Sequence, residues 1–463
     1  MNLPEIFIQS IQENKSFNEV SFRQSHQSTP QLTSVRINPK KINSIAQANF
    51  SCNTDKVPWS SHGYYLAQRP LFTIDPLFHA GAYYVQEASS MFLEEAICQS
   101  VDETKDLKVL DLCAAPGGKS TLIQSIISAN SLLVSNEVIK TRTATLSENI
   151  SKWGDANVIV TNNDPQDFKR LQNYFDVVVV DAPCSGSGLF RKDANAIKEW
   201  SQNNVTLCAQ RQQRILADVV PALKEGGVLI YSTCSYSKEE DEAVADWLMQ
   251  QFEMESIQLK IDTEWGIVET VSEKAHGFGY KFYPDKVKGE GFFIAVFKKQ
   301  FSGTGEINSN NEKKSKREKN DVVVSAKNIA TLKPYLDNVG DFFFIKQHED
   351  VIAMPLALKD ELPIIKSCLY IKKAGIKVGA IIRDTLIPAH ELAISNIISK
   401  NFISIDIDLE TALQYLRRHE IKPMSGLQGW ALFSYRQLPL GWIKVIGHRI
   451  NNYYPAAWRI LNK

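Results

Sequence analysis

The chain has 463 residues, 44% hydrophobic and 22% charged, with 52 Lys+Arg against 52 Asp+Glu. This is ordinary globular composition with material for two to four domains at ~100–200 residues each, and it excludes a mainly disordered chain. Nor does it fit a membrane span, a secretory signal, a disulfide scaffold or a zinc site. No apolar run reaches ~18 residues, residues 1–25 lack a basic start and an apolar core, and the seven cysteines show no CxxC spacing.

The neutral total hides an asymmetry. Residues 411–463 carry eight Lys/Arg and one acid, Glu420, so a polyanionic partner is expected at that end. The expected compartment is the reducing cytoplasm, where an unpaired thiol can serve as a nucleophile. No metal is implied.

Residues 1–85 are mixed in pattern, with loop signals at Asn53-Thr54-Asp55 and Val57-Pro58-Trp59. From residue 86 onward short apolar runs alternate with helical spacing. Lys108–Leu112 reads as a strand, followed by Pro116-Gly117-Gly118 and a helical stretch from Lys119 to Ile127. Ser131–Asn136, Val158–Val160, Phe175–Val180 and Val228–Tyr231 are further strands. Runs this apolar, separated by helices, predict a doubly wound, mostly parallel α/β sheet buried on both faces. Ligands of such sheets sit at the carboxyl ends of the strands, which here carry Asp111, Glu137, Asp164 and Asp181. Gly291–Phe297 is expected to close the sheet as a late edge strand. The polar stretch 301–325, with Lys313, Lys314, Lys316, Arg317 and Lys319, reads as a flexible linker. Residues 326–463 then supply one or two small domains.

Three segments carry chemistry. The first, Asp111 to Thr121, is a strand, a small-residue loop (Cys113, Ala114, Ala115, Pro116, Gly117, Gly118, Lys119) and a helix start. Small side chains admit a ligand close to the backbone, and the helix N-terminus favours an anionic group. A phosphate-binding P-loop would need glycine at position 113, where Cys113 stands. S-adenosylmethionine fits better: its carboxylate on the helix N-terminus, its ribose hydroxyls on Glu137, its adenine amine on Asp164. Lys119 is either a cation near that carboxylate or a polyanionic partner, or simply solvated. Taken alone, the loop could also be no more than a tight strand-to-helix turn.

The other two segments each present a cysteine at a strand end. Asp181-Ala182-Pro183-Cys184-Ser185-Gly186-Ser187-Gly188 follows the valine run, and Ser232-Thr233-Cys234-Ser235-Tyr236 follows the next strand. A buried cysteine is usually a small hydrophobe. That reading suits Cys98, Cys208 and Cys368, but fits poorly where a thiol is wrapped in Pro, Ser and Gly beside an acid. Methylating C5 of a pyrimidine needs such a group. Thiolate addition at C6 makes C5 nucleophilic, a carboxyl near N3 balances charge, and a base removes the C5 proton. Downstream, Ser237-Lys238-Glu239-Glu240 reads as a capping box opening a helix whose face holds Val244, Trp247, Leu248 and Gln251.

Together the three segments resemble the Nop/Sun family of S-adenosylmethionine-dependent RNA cytosine-5 methyltransferases. Arg36-Ile37-Asn38-Pro39, Tyr84–Ser89 and Gly289–Phe293 add weaker likenesses, so the resemblance covers about residues 30–300. It implies a Rossmann-like class I methyltransferase domain at 86–300, with Cys113–Lys119 as the cofactor loop and Glu137, Asp164 and Asp181 as cofactor-side acids. Cys234 is the implied nucleophile, Cys184 the implied helper in product release, and Asp181 a catalytic acid as well. Residues 1–85 become an N-terminal α/β, RNA-binding extension.

Gly441–Gly447 with Asn452–Pro455 resembles the PUA-like RNA-binding module of bacterial members that modify small-subunit ribosomal RNA. Arg417, Arg418, Lys422, Arg436, Lys444, Arg449 and Arg459 interleave there with Tyr415, Trp430, Trp442, Tyr453 and Trp458; cations hold phosphates, and aromatic faces either stack unpaired bases or fill a small core. The expected partner is ribosomal RNA or the small ribosomal subunit, met by a monomer. Transfer RNA as substrate, a non-catalytic assembly factor and, least of all, a P-loop ATPase are the alternatives.

Overall fold

The computed structural model describes residues 3–28, 32–301, 322–422 and 426–461. Of the linker expected at 301–325, residues 302–321, which hold its lysines and arginine, lie outside the described residues.

The N-terminal region is a four-stranded antiparallel sheet, β1 (Thr33–Ile37), β2 (Thr54–Lys56), β3 (Gly63–Leu66) and β4 (Tyr83–Val85), in the order β2-β3-β1-β4. The large sheet follows. Its parallel part holds β5 (Lys108–Asp111), β6 (Leu132–Asn136), β7 (Val158–Thr161), β8 (Phe175–Asp181) and β9 (Leu223–Thr233), ordered β7-β6-β5-β8-β9. Val177–Val180 of β8 are at most 1% exposed, as a strand covered on both faces must be. One face packs on Leu122 and Ile123 of the helix Gly118–Ile126. The other packs on Ile215 and Leu216 of the helix Gln202–Val219. Each fully buried Val or Leu contributes about 1.5–3 kcal/mol. Strand order reverses between β5 and β8, which opens a crevice at their carboxyl ends.

The late strand is not an edge. After β10 (Met254–Ser256), β11 (Val268–Val271) and β12 (Phe278–Phe282), strand β13 (Phe292–Lys299) inserts antiparallel between β9 and β12, and β11 lies outermost. The hairpin β11–β12 escapes the sequence pattern because Gly279 and Lys281 interrupt its apolar run.

The C-terminal region builds β14 (Val322–Val323), β15 (Phe342–Gln347), β16 (Asp350–Pro355), β17 (Ile371–Ala374), β18 (Ile376–Ile382) and β19 (Thr385–Pro388). It continues with β20 (Ser404–Asp406), β21 (Gly429–Tyr435), β22 (Leu438–Ile446) and β23 (Arg449–Asn452). These form two small sheets, β14-β15-β16-β18-β19 and β20-β21-β22-β23. Strand β17 joins neither. It pairs antiparallel with β7, Ile371 opposite Thr161 and Ala374 opposite Ile159, and so completes the large sheet from outside.

One lysine joins all three regions. Lys41 Nζ donates to the carbonyls of Ala80, Lys152 and Ile394 at 2.7, 2.5 and 2.7 Å. Gly81, at φ +70°, lets the chain pass there; a Cβ on it would lie 1.9 Å from the Lys152 oxygen.

Candidate active site

The carboxyl edge of the large sheet gathers the three motifs. Strand β5 ends at Asp111, which is fully buried. Its Oδ2 accepts from Ser120 at 2.6 Å while Oδ1 has no partner, and burial pushes this carboxyl up to about 7. The loop Cys113–Gly118 then turns into the helix Gly118–Ile126. Gly117 sits at φ +117°, where a Cβ would meet Leu146 and Asn149 at 3.3 and 3.4 Å, so glycine keeps the turn open and close to its neighbours. Arg142 Nη2 donates to the Ala115 carbonyl at 2.6 Å and Asn149 Nδ2 to that of Pro116 at 2.8 Å. Two side chains of the next helix therefore fix the loop. Burial raises the Cys113 thiol far above its ordinary range, so Cys113 lines the loop as a neutral group.

Glu137 closes β6, 3% exposed. Its Oε1 accepts from the Ile139 N–H at 2.8 Å, and its Oε2 lies 3.4 Å from Arg142 Nη1. Arg142, which the sequence did not single out, therefore ties the cofactor loop to the acid of the next strand. Asp164, half-buried, caps the turn Pro165–Arg170 by accepting from Gln166 N–H at 3.1 Å. Asparagine amides link these strand ends. Asn136 Nδ2 donates to Leu112 O (3.1 Å) and Asn163 O (3.0 Å). Asn163 in turn exchanges bonds with the backbone of Tyr370, Nδ2 to O at 3.1 Å and N to Oδ1 at 2.9 Å. A glycine-opened loop at a helix N-terminus, followed by a carboxylate at each of the next two strand ends, fits a nucleoside cofactor carrying a carboxylate tail.

Asp181 ends β8 and is held on both oxygens. Ser232 Oγ donates to Oδ1 at 2.9 Å, and Lys119 Nζ lies 2.8 Å from Oδ2. Lys119 is thus paired rather than solvated. Burial opposes its charge, but Asp181, Asp111 and Cys234 outweigh that, and the ammonium is held above its ordinary value. The two cysteines meet beyond these ends. Cys184 Sγ and Cys234 Sγ are 2.7 Å apart, and the Cys234 N–H donates to Cys184 Sγ at 3.3 Å. Gly188 donates to the Cys234 carbonyl at 2.8 Å, an approach that a Cβ on Gly188 would block at 2.4 Å from the Gly291 oxygen. The Cys184 thiol stands well above its ordinary range because of its bond to Cys234, its burial and the charges of Cys234 and Glu240.

Glu240 departs from expectation. It does not close a capping box: the helix starts at Glu242, Ser237 Oγ has no partner, and the Glu240 carboxylate reaches Ser185 and Ser235. A spacing rule sees four residues of chain and cannot see a partner 55 residues away. Val244 and Leu248 are buried as expected, Trp247 is partly so against Phe252, and Gln251 is exposed. Cys208 is buried and Cys368 intermediate, but Cys98 is exposed.

The weaker N-terminal motifs hold the parts together. Arg36, 1% exposed, donates to Gln86 Oε1 (2.8 Å), Thr121 Oγ1 (2.6 Å) and Ser125 Oγ (3.1 Å), clamping the first small sheet to the cofactor helix. Glu87 accepts the Glu290 N–H at 2.9 Å. In the C-terminal sheet the aromatics divide. Tyr415 and Trp442 are fully buried and Trp458 is partly buried against His390. Tyr453 is 39% exposed, with its ring 4.5 Å from Trp430, and Lys444 lies 5.1 Å over Trp430.

Residues 98–298 match a family model described as 16S rRNA methyltransferase RsmB/F. Residues 3–88 match the N-terminal domain of 16S rRNA methyltransferase RsmF, and residues 402–460 the methyltransferase RsmF PUA domain. Ribosomal RNA small subunit methyltransferase F of Vibrio parahaemolyticus is 30% identical over 98% of this chain and 97% of its own. The Shewanella woodyi protein of the same name is 29% identical over 93% and 91%. Among solved structures, a methyltransferase homologue from Pyrococcus horikoshii is 27% identical and superposes with a TM-score of 0.55 over 64% of this chain and 95% of its own. With a match running along nearly the whole of both chains, this chain belongs to the ribosomal RNA small subunit methyltransferase F family of S-adenosylmethionine-dependent class I methyltransferases.

Proposed function

We propose that the enzyme methylates C5 of a cytosine in small-subunit ribosomal RNA through a transient bond to Cys234. The observation that carries this is the pair of sulfurs 2.7 Å apart on the same sheet edge as the cofactor loop, beside the Lys119–Asp181 pair.

The cofactor, when bound, supplies an electrophilic methyl group. Cys113–Lys119, Glu137, Asp164 and Asp181 are the residues that would hold it. Cys234, as thiolate, gives an electron pair to C6 of the base, so that C5 gains enamine character and takes up the methyl group. A proton passed from Asp181 to N3 as the thiolate adds, and back as it leaves, balances this charge, and Lys119 pairs with the Asp181 carboxylate while that proton is on the ring. A base then takes the C5 proton, and the electron pair left behind expels the Cys234 sulfur from C6. Cys184 assists this release. Its thiol is held up first by its bond to Cys234 and also by the charge there. Once Cys234 is bonded to carbon those influences vanish, so Cys184 gives up its proton more readily and its thiolate becomes available when a base is needed.

The N-terminal sheet and the partly exposed Trp430–Tyr453–Lys444 cluster are surfaces for the RNA, with cations for phosphates and rings for bases. On this reading the enzyme works in the cytoplasm as a monomer, since one chain carries both the catalytic and the RNA-binding parts.

The test is the pair of cysteine variants. Cys234→Ala is expected to abolish methylation, read by bisulfite sequencing, while its affinity for S-adenosylmethionine in calorimetry stays unchanged. Cys184→Ala is expected to leave a covalent protein–RNA band on a denaturing gel. Full methylation by Cys234→Ala would overturn the reading.

A further inference from the structure

Both cysteines are followed by serine, and both serine hydroxyls donate to one oxygen of one carboxylate. Ser185 Oγ lies 2.5 Å and Ser235 Oγ 2.7 Å from Glu240 Oε2. The other oxygen, Oε1, accepts the Ser185 N–H at 2.8 Å and Gln212 Nε2 at 3.1 Å. Glu240 is fully buried, and these four donors fill the acceptor sites of an ionised carboxylate. The surroundings bracket each thiol. Gln212 Nε2 also donates to the Pro183 carbonyl at 3.1 Å, so both neighbours of Cys184 are tied to one cluster. Thr233 Oγ1 donates to Asp241 Oδ1 at 2.7 Å and accepts the Ser235 N–H at 3.2 Å, so both neighbours of Cys234 are tied to consecutive acids. Strands β8 and β9 stay in register only as far as Asp181 opposite Ser232; beyond that pair the ladder no longer sets how far apart the two loops lie.

We infer that Glu240 is the positioning residue that holds Cys184 and Cys234 in register, one carboxylate clasping the residue after each thiol. The inference rests on the proposed roles of the two cysteines and adds a consequence. Forming the bond to C6 requires one correctly placed sulfur, whereas release requires two. Loosening the clasp therefore slows release more than attachment.

Glu240→Gln keeps the shape but sets an amide NH2 against groups that all donate. The backbone tie from Gly188 to Cys234 O at 2.8 Å remains. With small ribosomal subunits from a strain lacking the enzyme as substrate, kcat is expected to fall at least tenfold while the dissociation constant for S-adenosylmethionine stays within twofold. The covalent protein–RNA fraction in steady state is expected to rise above that of the unaltered enzyme. Ser185→Ala, a smaller change that removes one hydroxyl donor, is expected to raise the same band, which keeps the inference testable if Glu240→Gln does not fold.

A merely structural role would lower thermal stability and cofactor affinity together without enriching the adduct; that result overturns the inference. So does a kcat within twofold of the unaltered enzyme in both variants. The band must vanish in Glu240→Gln/Cys234→Ala. If Cys234→Ala alone still methylates, the cysteine reading itself falls, and this inference with it. If Cys234→Ala is inactive while Glu240→Gln behaves as the unaltered enzyme, Glu240 loses its role and the cysteine reading stands.

Discussion

The two ends of the crevice are braced from different places. At the cysteine end the braces come from the catalytic and N-terminal regions: Gln212, Glu240, Asp241 and Lys281 lie within the segment 98–298 that matches the methyltransferase model, and Asn14 Nδ2 donates to the Tyr236 carbonyl at 2.7 Å. At the Asp164 end the last brace comes from the C-terminal region. Strand β17 covers β7, Tyr370 exchanges two bonds with Asn163, and Arg170 Nη1 donates to the Cys368 carbonyl at 3.0 Å. Among the described residues the cysteine end thus takes its braces from outside the C-terminal region, whereas the Asp164 end is finished by that region. Disturbances should separate accordingly.

The largest expected effect lies at the cysteine end. Lys281 is 1% exposed, with Nζ 3.2 Å from Asp241 Oδ2 and 3.0 Å from Glu242 Oε2. Burial opposes its charge, but the two carboxylates outweigh that and hold the ammonium above its ordinary value. Lys281→Met would leave both acids facing each other without a counter-charge, which costs about 3–5 kcal/mol. A lower midpoint of chemical denaturation is the expected result. Lys281→Met/Asp241→Asn should recover part of it, because one of the stranded charges is then gone. No recovery would mean that Lys281 acts through its packing on Phe293, 5.8 Å away, rather than through charge.

The next effect is at the far side of the C-terminal docking surface, and pH reads it. His79 of the N-terminal region is buried, and near it His390 of the C-terminal region is partly buried with both ring nitrogens shielded. Tyr454 bridges them, with its OH 3.3 Å from His79 Nδ1 and its ring 5.1 Å from that of His390. Burial lowers His79 from its ordinary 6.5 to about 4. Burial, with Lys152 and Lys41 nearby, lowers His390 to about 3. The unfolded chain takes up these protons near pH 6.5 and the folded chain does not. Stability is therefore fully present above 6.5 and is lost progressively as pH falls toward 4 and below, by roughly 3 kcal/mol for His79 once titrated. Acid should release the C-terminal region first. Limited proteolysis at pH 5 is expected to cut between residues 322 and 461 before it cuts the catalytic region; simultaneous cutting would argue that the two ends are not independent.

The cysteine end is also the more legible one. The valine run of β8, the small-residue loop and the two cysteine segments announce themselves because a strand buried on both faces and a loop that must approach a ligand leave local marks. The brace at the Asp164 end leaves none. Strand β17 reads Ile-Lys-Lys-Ala, an edge strand with polar side chains and a partner some 210 residues earlier, and nothing in its own pattern names that partner. Glu240 is misread for a related reason, since the local spacing of a helix cap is satisfied on paper while its carboxylate answers a distant serine. In β21 and β22 the sequence shows which residues are aromatic but not which face turns inward. Trp442 therefore proves to be core, with Nε1 donating to Ala389 O at 2.8 Å, while Trp430 is only partly buried, with Lys444 over its ring.

The smallest effect bears most directly on the comparison. Asn163→Ala removes both side-chain bonds to Tyr370 while keeping the backbone bond from Asn162 N–H to Tyr370 O at 3.2 Å. Each lost bond is worth about 0.5–1.5 kcal/mol net. Strand β17 should therefore stay in place but less firmly, and Asn163, with its N–H still on Asn136 Oδ1 at 3.0 Å, should drift at the outer end of the asparagine chain. Asp164 is the next residue, so the loss should appear as a several-fold weaker affinity for S-adenosylmethionine in calorimetry, with kcat at saturating cofactor within twofold. The opposite split, a lower kcat with unchanged cofactor affinity, would show that the C-terminal region supports the bond-making end after all, and the division drawn between the two ends of the crevice would have to be abandoned.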